Sequence, residues 1–163
     1  MATPSSQKTK KPLHEMLVVR HRIPAAQAWA RANSIDRVIV DGDRRSLGIV
    51  TSGKACVDVR QALAALGLDE ARTRALGVRV YKVGMIWPLE PEGLRRFAVG
   101  HEELLFVEEK APFVEDQAAK ILYHVREGER PRLTGKRDDR GASLLPPDVQ
   151  LDFATVAFAI ARR

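Results

Sequence analysis

Hydrophobic positions along this chain change their period again and again. Leu47 to Thr51 and Val78 to Val83 are rich in β-branched and aromatic residues, and Leu104 to Val107 is apolar without a break, as in a strand covered on both faces. Between them the period lengthens. Ala55, Cys56, Val59, Ala62, Leu63 and Leu66 share a helical face that ends at Gly67, and Leu94, Phe97 and Ala98 mark a helix from Pro91 to about Val99. Asp69 caps a short helix that Gly77 stops, and Pro112 opens one carrying Val114, Ala118, Ile121, Leu122 and Val125 toward Gly128. Nearer the N-terminus, Pro24 begins a helix that ends near Asn33, with Trp29 expected to pack it onto the body. Arg37 to Val40 reads as a short strand, and the Asp41-Gly42 turn signal predicts a hairpin with the strand at Leu47. Arg132 to Thr134 is a last short strand, Lys136 to Pro147 an exposed loop, and a final helix starts at about Phe153 with Asp152 as its cap.

This alternation predicts a three-layer α/β/α sandwich over residues 24–163. Its sheet is mostly parallel, with about five strands and one antiparallel edge. Residues 1–23 are expected to be a disordered or linker tail. Loops following Thr51, Val83 and Val107 should gather on one sheet edge, with Trp87 in the middle one as either a plug or a contact surface.

Composition narrows the function. A chain of 163 residues buries a real core without staples, and its single cysteine, Cys56, excludes an internal disulfide or a thiolate-built metal cluster within the chain; Cys56 itself reads as a small buried helix residue. No apolar run approaches a membrane span, which makes the cytoplasm the expected location and a membrane partner unexpected. The net charge of +6 is concentrated at the N-terminus, where Lys8, Lys10, Lys11, Arg20 and Arg22 face only Glu15. The remainder is nearly balanced and lacks a basic, aromatic-interleaved face, so nucleic acid is not an expected partner.

Candidate chemistry centres on the strand ends. Gly48 to Ala55, GIVTSGKA, has the G-x-x-x-x-G-K spacing of a phosphate-binding loop, but Ala55 replaces the metal-holding hydroxyl and Ile49-Val50 look like strand interior. Lys54 in the first turn of a helix opposes the macrodipole. It is explained either by an ion pair with Glu108 or Glu109, or by an anion held with Gly53 at the helix N-terminus. Glu108 and Glu109 point to opposite faces of an extended chain and do not form a close acid–base pair. His14, His21, His101 and His124 have no ligand-like spacing and read as surface or packing residues. Gly53, Lys54, Trp87, Glu108, Glu109 and Lys110 are therefore the candidate anion-binding or interface residues, with no catalytic and no metal-binding residue among them.

Four stretches in order, LGIVTSGKACVDVRQAL, LGVRVYKVGMIWPLEPEGLRRFA, ELLFVEEKAPFVEDQ and RPRLTGKRD, resemble the segment of indolepyruvate ferredoxin oxidoreductases that is similar to a transketolase C-terminal domain. The resemblance covers about Ala25 to Arg163. It implies one noncatalytic structural or interaction domain of a thiamine diphosphate-dependent 2-oxoacid oxidoreductase, whose full enzyme converts arylpyruvates and coenzyme A to aryl-acetyl-CoA while reducing ferredoxin. The implied partners are other domains or subunits of the enzyme, with ferredoxin and coenzyme A serving the whole. Thiamine diphosphate and iron–sulfur clusters are expected outside this chain, which has no Gly-Asp-Gly motif, and no cofactor is expected on it. The alternative is a stand-alone nucleotide- or anion-binding α/β protein using Gly48 to Ala55.

Overall fold

Strand order, rather than strand count, decides where this chain can carry a site. The computed structural model describes residues 10–163. Its five strands are β1 (Arg37–Val40), β2 (Leu47–Ser52), β3 (Val78–Val83), β4 (Glu103–Val107) and β5 (Arg132–Thr134), in the sheet order β1-β3-β2-β4-β5. All pairs are parallel except β1 with β3. β2 is the central strand, and its register sets Ser52 beside Val83 and Thr51 beside Val107. The loops after β2, β3 and β4 therefore leave from one edge, as the sequence predicts.

Helices cover both faces because the strand side chains alternate. Leu47, Ile49, Val78, Val80, Leu105 and Val107 join one core cluster with α3 (Ala55–Ala65) and α7 (Phe153–Ala161). Val50, Tyr81, Val83, Leu104 and Phe106 join the other with α5 (Pro91–Ala98) and α6 (Phe113–Leu122). The short α4 (Glu70–Ala75) is capped by Asp69, which accepts the Arg72 N–H at 2.8 Å. This is the three-layer arrangement expected from the alternation.

Five local expectations change. The hairpin at Asp41-Gly42 does not form, since β1 pairs with β3. Instead the connection folds over the start of β3: Asp43 N–H reaches Arg74 O, and both Ser46 and Leu47 donate to Gly77 O. β2 is buried on both faces and needs two parallel neighbours, whereas the half-exposed β1 suits an edge. Trp29 does not pack its helix onto the body. It is 58% exposed on α2 (Ile23–Ala32), and that helix docks through buried Ala30, through Gln27 Nε2 to Leu89 O at 2.9 Å, and through Arg31 to Glu90 at 2.8 Å.

The segment Lys10–Arg22, expected within the tail, is helical: α1 (Lys10–Leu17) runs through a π-helical stretch, Val18–Arg22, into α2. Residues 1–9 of that expected tail lie outside the described residues. The stretch from Lys136 to Pro147 is irregular but not simply exposed, because Lys136, Leu144 and Leu145 are buried and the two leucines complete the α3–α7 core. Helix α6 also stops at Leu122, short of Gly128, in a series of turns.

Candidate functional site

In an open α/β sheet the ligand crevice forms at the carboxyl ends of the strands, where successive crossovers leave in opposite directions. Here that place is between the ends of β2 and β4. It brings together Ser52, Gly53, Lys54, Glu108 and Glu109, five residues the sequence points to or borders. The space between them is closed: the gap bounded by Val50, Thr51, Ser52, Phe106, Glu108 and Val114 has a volume of about 0 Å³ for water.

The phosphate-loop spacing is a strand. Gly48, Ile49 and Val50 lie in β2 and are paired on both sides, with β3 and with β4, so their backbone N–H groups do not form a cradle. Gly48 is required for close packing instead, since a Cβ there would stand 2.5 Å from Leu104 and 3.0 Å from Phe97. Gly53 turns the chain out of β2 with a φ of 53°, a left-handed conformation that favours glycine. Lys54 caps α3, and its ammonium is 2.9 Å from Asp58 and 3.3 Å from Glu109 while donating to Leu151 O. Hydrogen bonding to Asp58 is the main reason its pKa lies above the usual lysine value.

Glu108 and Glu109 separate as expected. Buried Glu108 folds under α6, where its carboxylate accepts the N–H groups of Phe113, Val114 and Glu115 at 3.0, 2.8 and 3.0 Å. Glu109 turns to the other side and accepts from Lys54 and from Leu151 N–H at 3.2 Å. Lys110, exposed and at a φ of 54°, forms the outer turn between β4 and α6. Lys136, in an adjacent buried position, donates to Glu108 O, and its burial lowers the ammonium pKa.

The same chemistry repeats around the molecule. Glu90 accepts Glu92 and Gly93 N–H at the start of α5, and Asp152 accepts Thr155 N–H at the start of α7. A carboxylate of the chain thus stands where an anion would bind at the N-termini of α4, α5, α6 and α7. The exit from β3 is fixed similarly: Asp36 accepts Gly84 and Met85 N–H at 2.7 and 3.1 Å, and burial raises its carboxyl pKa.

Three large apolar side chains on this edge stand open to solvent. Ile86, Trp87 and Phe113 are 47%, 57% and 49% exposed. Trp87 therefore does not plug its loop, a role taken by Leu89, which is 2% exposed. Gln117 knits the outcrop together: its amide N donates to Ile86 O and Phe113 O at 2.9 and 3.0 Å, and its amide O accepts Leu89 N–H at 3.1 Å. Asp58, Glu90 and Gln117 are the residues sequence reasoning missed. Asp58 had a local signal, four residues beyond Lys54, but the reach from Gln117 to the β3 loop had none.

The histidine reading holds at His101, which packs 4.7 Å from the Phe97 ring beneath Gly48. Burial, with Arg79 and Arg45 adding to it, lowers its pKa to about 4. Cys56 is buried in α3 as expected. Among the described residues no cluster of His, Cys, Asp or Glu is arranged to hold a metal, and no helix is long and apolar enough to cross a membrane.

Comparison with known proteins follows the same lines. Among solved structures, the chain is similar to a split-gene transketolase, described as an inactive beta4 tetramer, with a TM-score of 0.52 and 20% identity over 77% of this chain and 40% of that one. This likeness places the fold. A 2-oxoglutarate:ferredoxin oxidoreductase from Magnetococcus marinus aligns with a TM-score of 0.48 and 16% identity over 88% of this chain and 23% of that one. The chain thus spans less than half the length of either structure. No curated protein matches it. The family model described as the indolepyruvate ferredoxin oxidoreductase middle domain matches residues 36–145. That stretch runs from the Asp36 clamp through all five strands to the buried Leu145, and the chain belongs to this middle-domain family of the 2-oxoacid ferredoxin oxidoreductases.

Proposed function

We propose that this chain is a noncatalytic structural and interaction domain of a thiamine diphosphate-dependent indolepyruvate ferredoxin oxidoreductase, and that the loops after β2, β3 and β4 form its docking edge. The observation that carries this reading is the contrast within one sheet edge. Lys54, Glu108 and Glu109 are held by partners within the chain, while Ile86, Trp87 and Phe113 stand out as an apolar surface. A buried polar crevice suits a ligand, whereas an exposed aromatic patch on a rigid base suits a protein surface.

The strand ends do not fit thiamine diphosphate or another diphosphate. Such a group would have to displace Glu90 or Glu108 from backbone N–H groups, or Asp58 and Glu109 from Lys54. The oxidative decarboxylation of an arylpyruvate and the reduction of ferredoxin are assigned to the remaining domains, which would hold thiamine diphosphate and the iron–sulfur clusters. The partners of this chain are those domains or subunits.

Calorimetry separates this reading from the stand-alone nucleotide-binding alternative. Titrating the chain with ATP and magnesium, with coenzyme A and with thiamine diphosphate should give no saturable heat. Magnesium-dependent ATP binding would favour the alternative, and micromolar thiamine diphosphate binding would place the cofactor on this chain.

A further inference from the structure

Helix α1 and the π-helical stretch after it form an arm outside the sandwich. Among the described residues α1 makes more than passing contact only with that stretch, and the stretch only with α1 and α2. The apolar side chains of the arm are accordingly open: Leu13, Met16, Leu17 and Val19 are 54%, 38%, 39% and 58% exposed. Leu13, Met16 and Leu17 stand three and four residues apart, which sets them on one helical face. The arm is also strongly basic. Its sequence carries Lys10, Lys11, Arg20 and Arg22 against Glu15 alone. Arg20, His21 and Arg22 are exposed, and among the described residues no ion pair engages them.

We propose that this arm docks, with Leu13, Met16 and Leu17 inward, into an apolar groove with an acidic rim on another domain or subunit of the oxidoreductase. The inference rests on the reading that the chain is one domain of that enzyme. Helix-in-groove recognition uses this pattern of anchors at i, i+3 and i+4. The eight residues of α1 and the five of the π-helical stretch span roughly 20 Å. A helix of that length is marginal in water without packing, so contact with a partner completes it. Charge selects the partner. An acidic rim attracts the arm, whereas the like charges of a second copy repel it. A lipid surface suits it less, because Lys10–Arg22 has no Trp, Tyr or Phe to seat at the interface.

The root of the arm ties it to the docking edge. α2 is fastened by Gln27 to Leu89 O and by Arg31 to Glu90, at the inner end of the loop that presents Ile86 and Trp87. The arm therefore extends the surface offered by that loop, adding a basic helix to its aromatic contacts.

Amide exchange at Leu13 to Arg22, compared between the isolated 163-residue chain and the complete oxidoreductase that contains it, tests the proposal. Exchange should be at least about tenfold slower in the complete enzyme. L13D/L17D should remove that protection, and R20E/R22E or about 1 M salt should weaken it, since salt screens the rim charges. These side chains are exposed, and circular dichroism checks that each variant keeps its sandwich. If L13D/L17D melts the arm itself, R20E/R22E and the salt dependence still decide. Equal exchange in the two settings overturns the proposal, as does protection indifferent to R20E/R22E and to salt. Binding of the isolated chain to phosphatidylcholine/phosphatidylserine vesicles, or its dimerisation, would also overturn it if abolished by L13D/L17D. An arm protected in the enzyme while W87A/F113A leaves assembly unchanged would support the arm and count against the docking edge alone.

Discussion

The Lys54 ammonium lies 2.9 Å from the Asp58 carboxylate, one helical turn further on, and this pair occupies the place where a phosphate-binding lysine would meet its ligand. Glu109 adds a second contact at 3.3 Å, and Leu151 O a third. Lys54→Met should therefore lower the Tm by leaving the largely buried Asp58 unpaired, by less than the Glu108 change below, because Lys54 itself is solvent-facing. Lys54→Met/Asp58→Asn should recover part of the loss. With the folded pKa raised above the ordinary 10.5, the pair's contribution is complete below that pH and fades as pH rises through the folded value. Thermal unfolding of both variants at neutral pH checks the coupling.

Glu108 closes the N-terminus of α6 from beneath, with three backbone N–H groups on one carboxylate. Glu108→Ala should cost about 1–3 kcal/mol, the range for leaving buried donors unmet. Glu108→Gln keeps one acceptor oxygen and should cost less. Urea unfolding, read as a shift in midpoint at constant slope, measures both.

His101 links stability to pH. Its folded pKa of about 4 lies below the ordinary 6.5, so the unfolded chain binds more protons between those values. Its contribution to stability is complete above pH 6.5 and is lost as pH falls toward 4. Burial sets this direction, with the cations Arg79 and Arg45 adding to it, against the backbone of Phe97 and Ala98, which favours the charged ring. Comparing the urea midpoint of wild type and His101→Leu across this window isolates the effect. The wild type should lose more stability on acidification than the variant, by up to a few kcal/mol.

The five strands and the two-faced sandwich are legible in the sequence because each strand carries its own short-range pattern. The partner of β1 is not. Asp41-Gly42 looks like a hairpin turn, and only the contact of its loop with Arg74 and Gly77 shows otherwise. The site divides in the same way. Ala55 and the strand-like Ile49-Val50 already spoke against a phosphate loop, and Lys54 with Glu109 follows from two strand ends meeting. Gln117 could not be found, because its contacts reach Ile86 and Leu89 across a long stretch of chain. Trp29 and Trp87 are both exposed, and a tryptophan surrounded by apolar sequence gives no sign of which way it faces.

The docking edge is tested most directly in the complete oxidoreductase that contains this chain, by substituting Trp87 and Phe113 with alanine and measuring assembly by light scattering together with turnover. Both side chains are exposed, so the isolated domain should keep its stability to within about 0.5 kcal/mol. The complete enzyme should lose assembly and turnover together, with Trp87→Ala alone accounting for at least about tenfold in domain affinity. Unchanged assembly and unchanged turnover in the double variant would contradict the docking-edge reading.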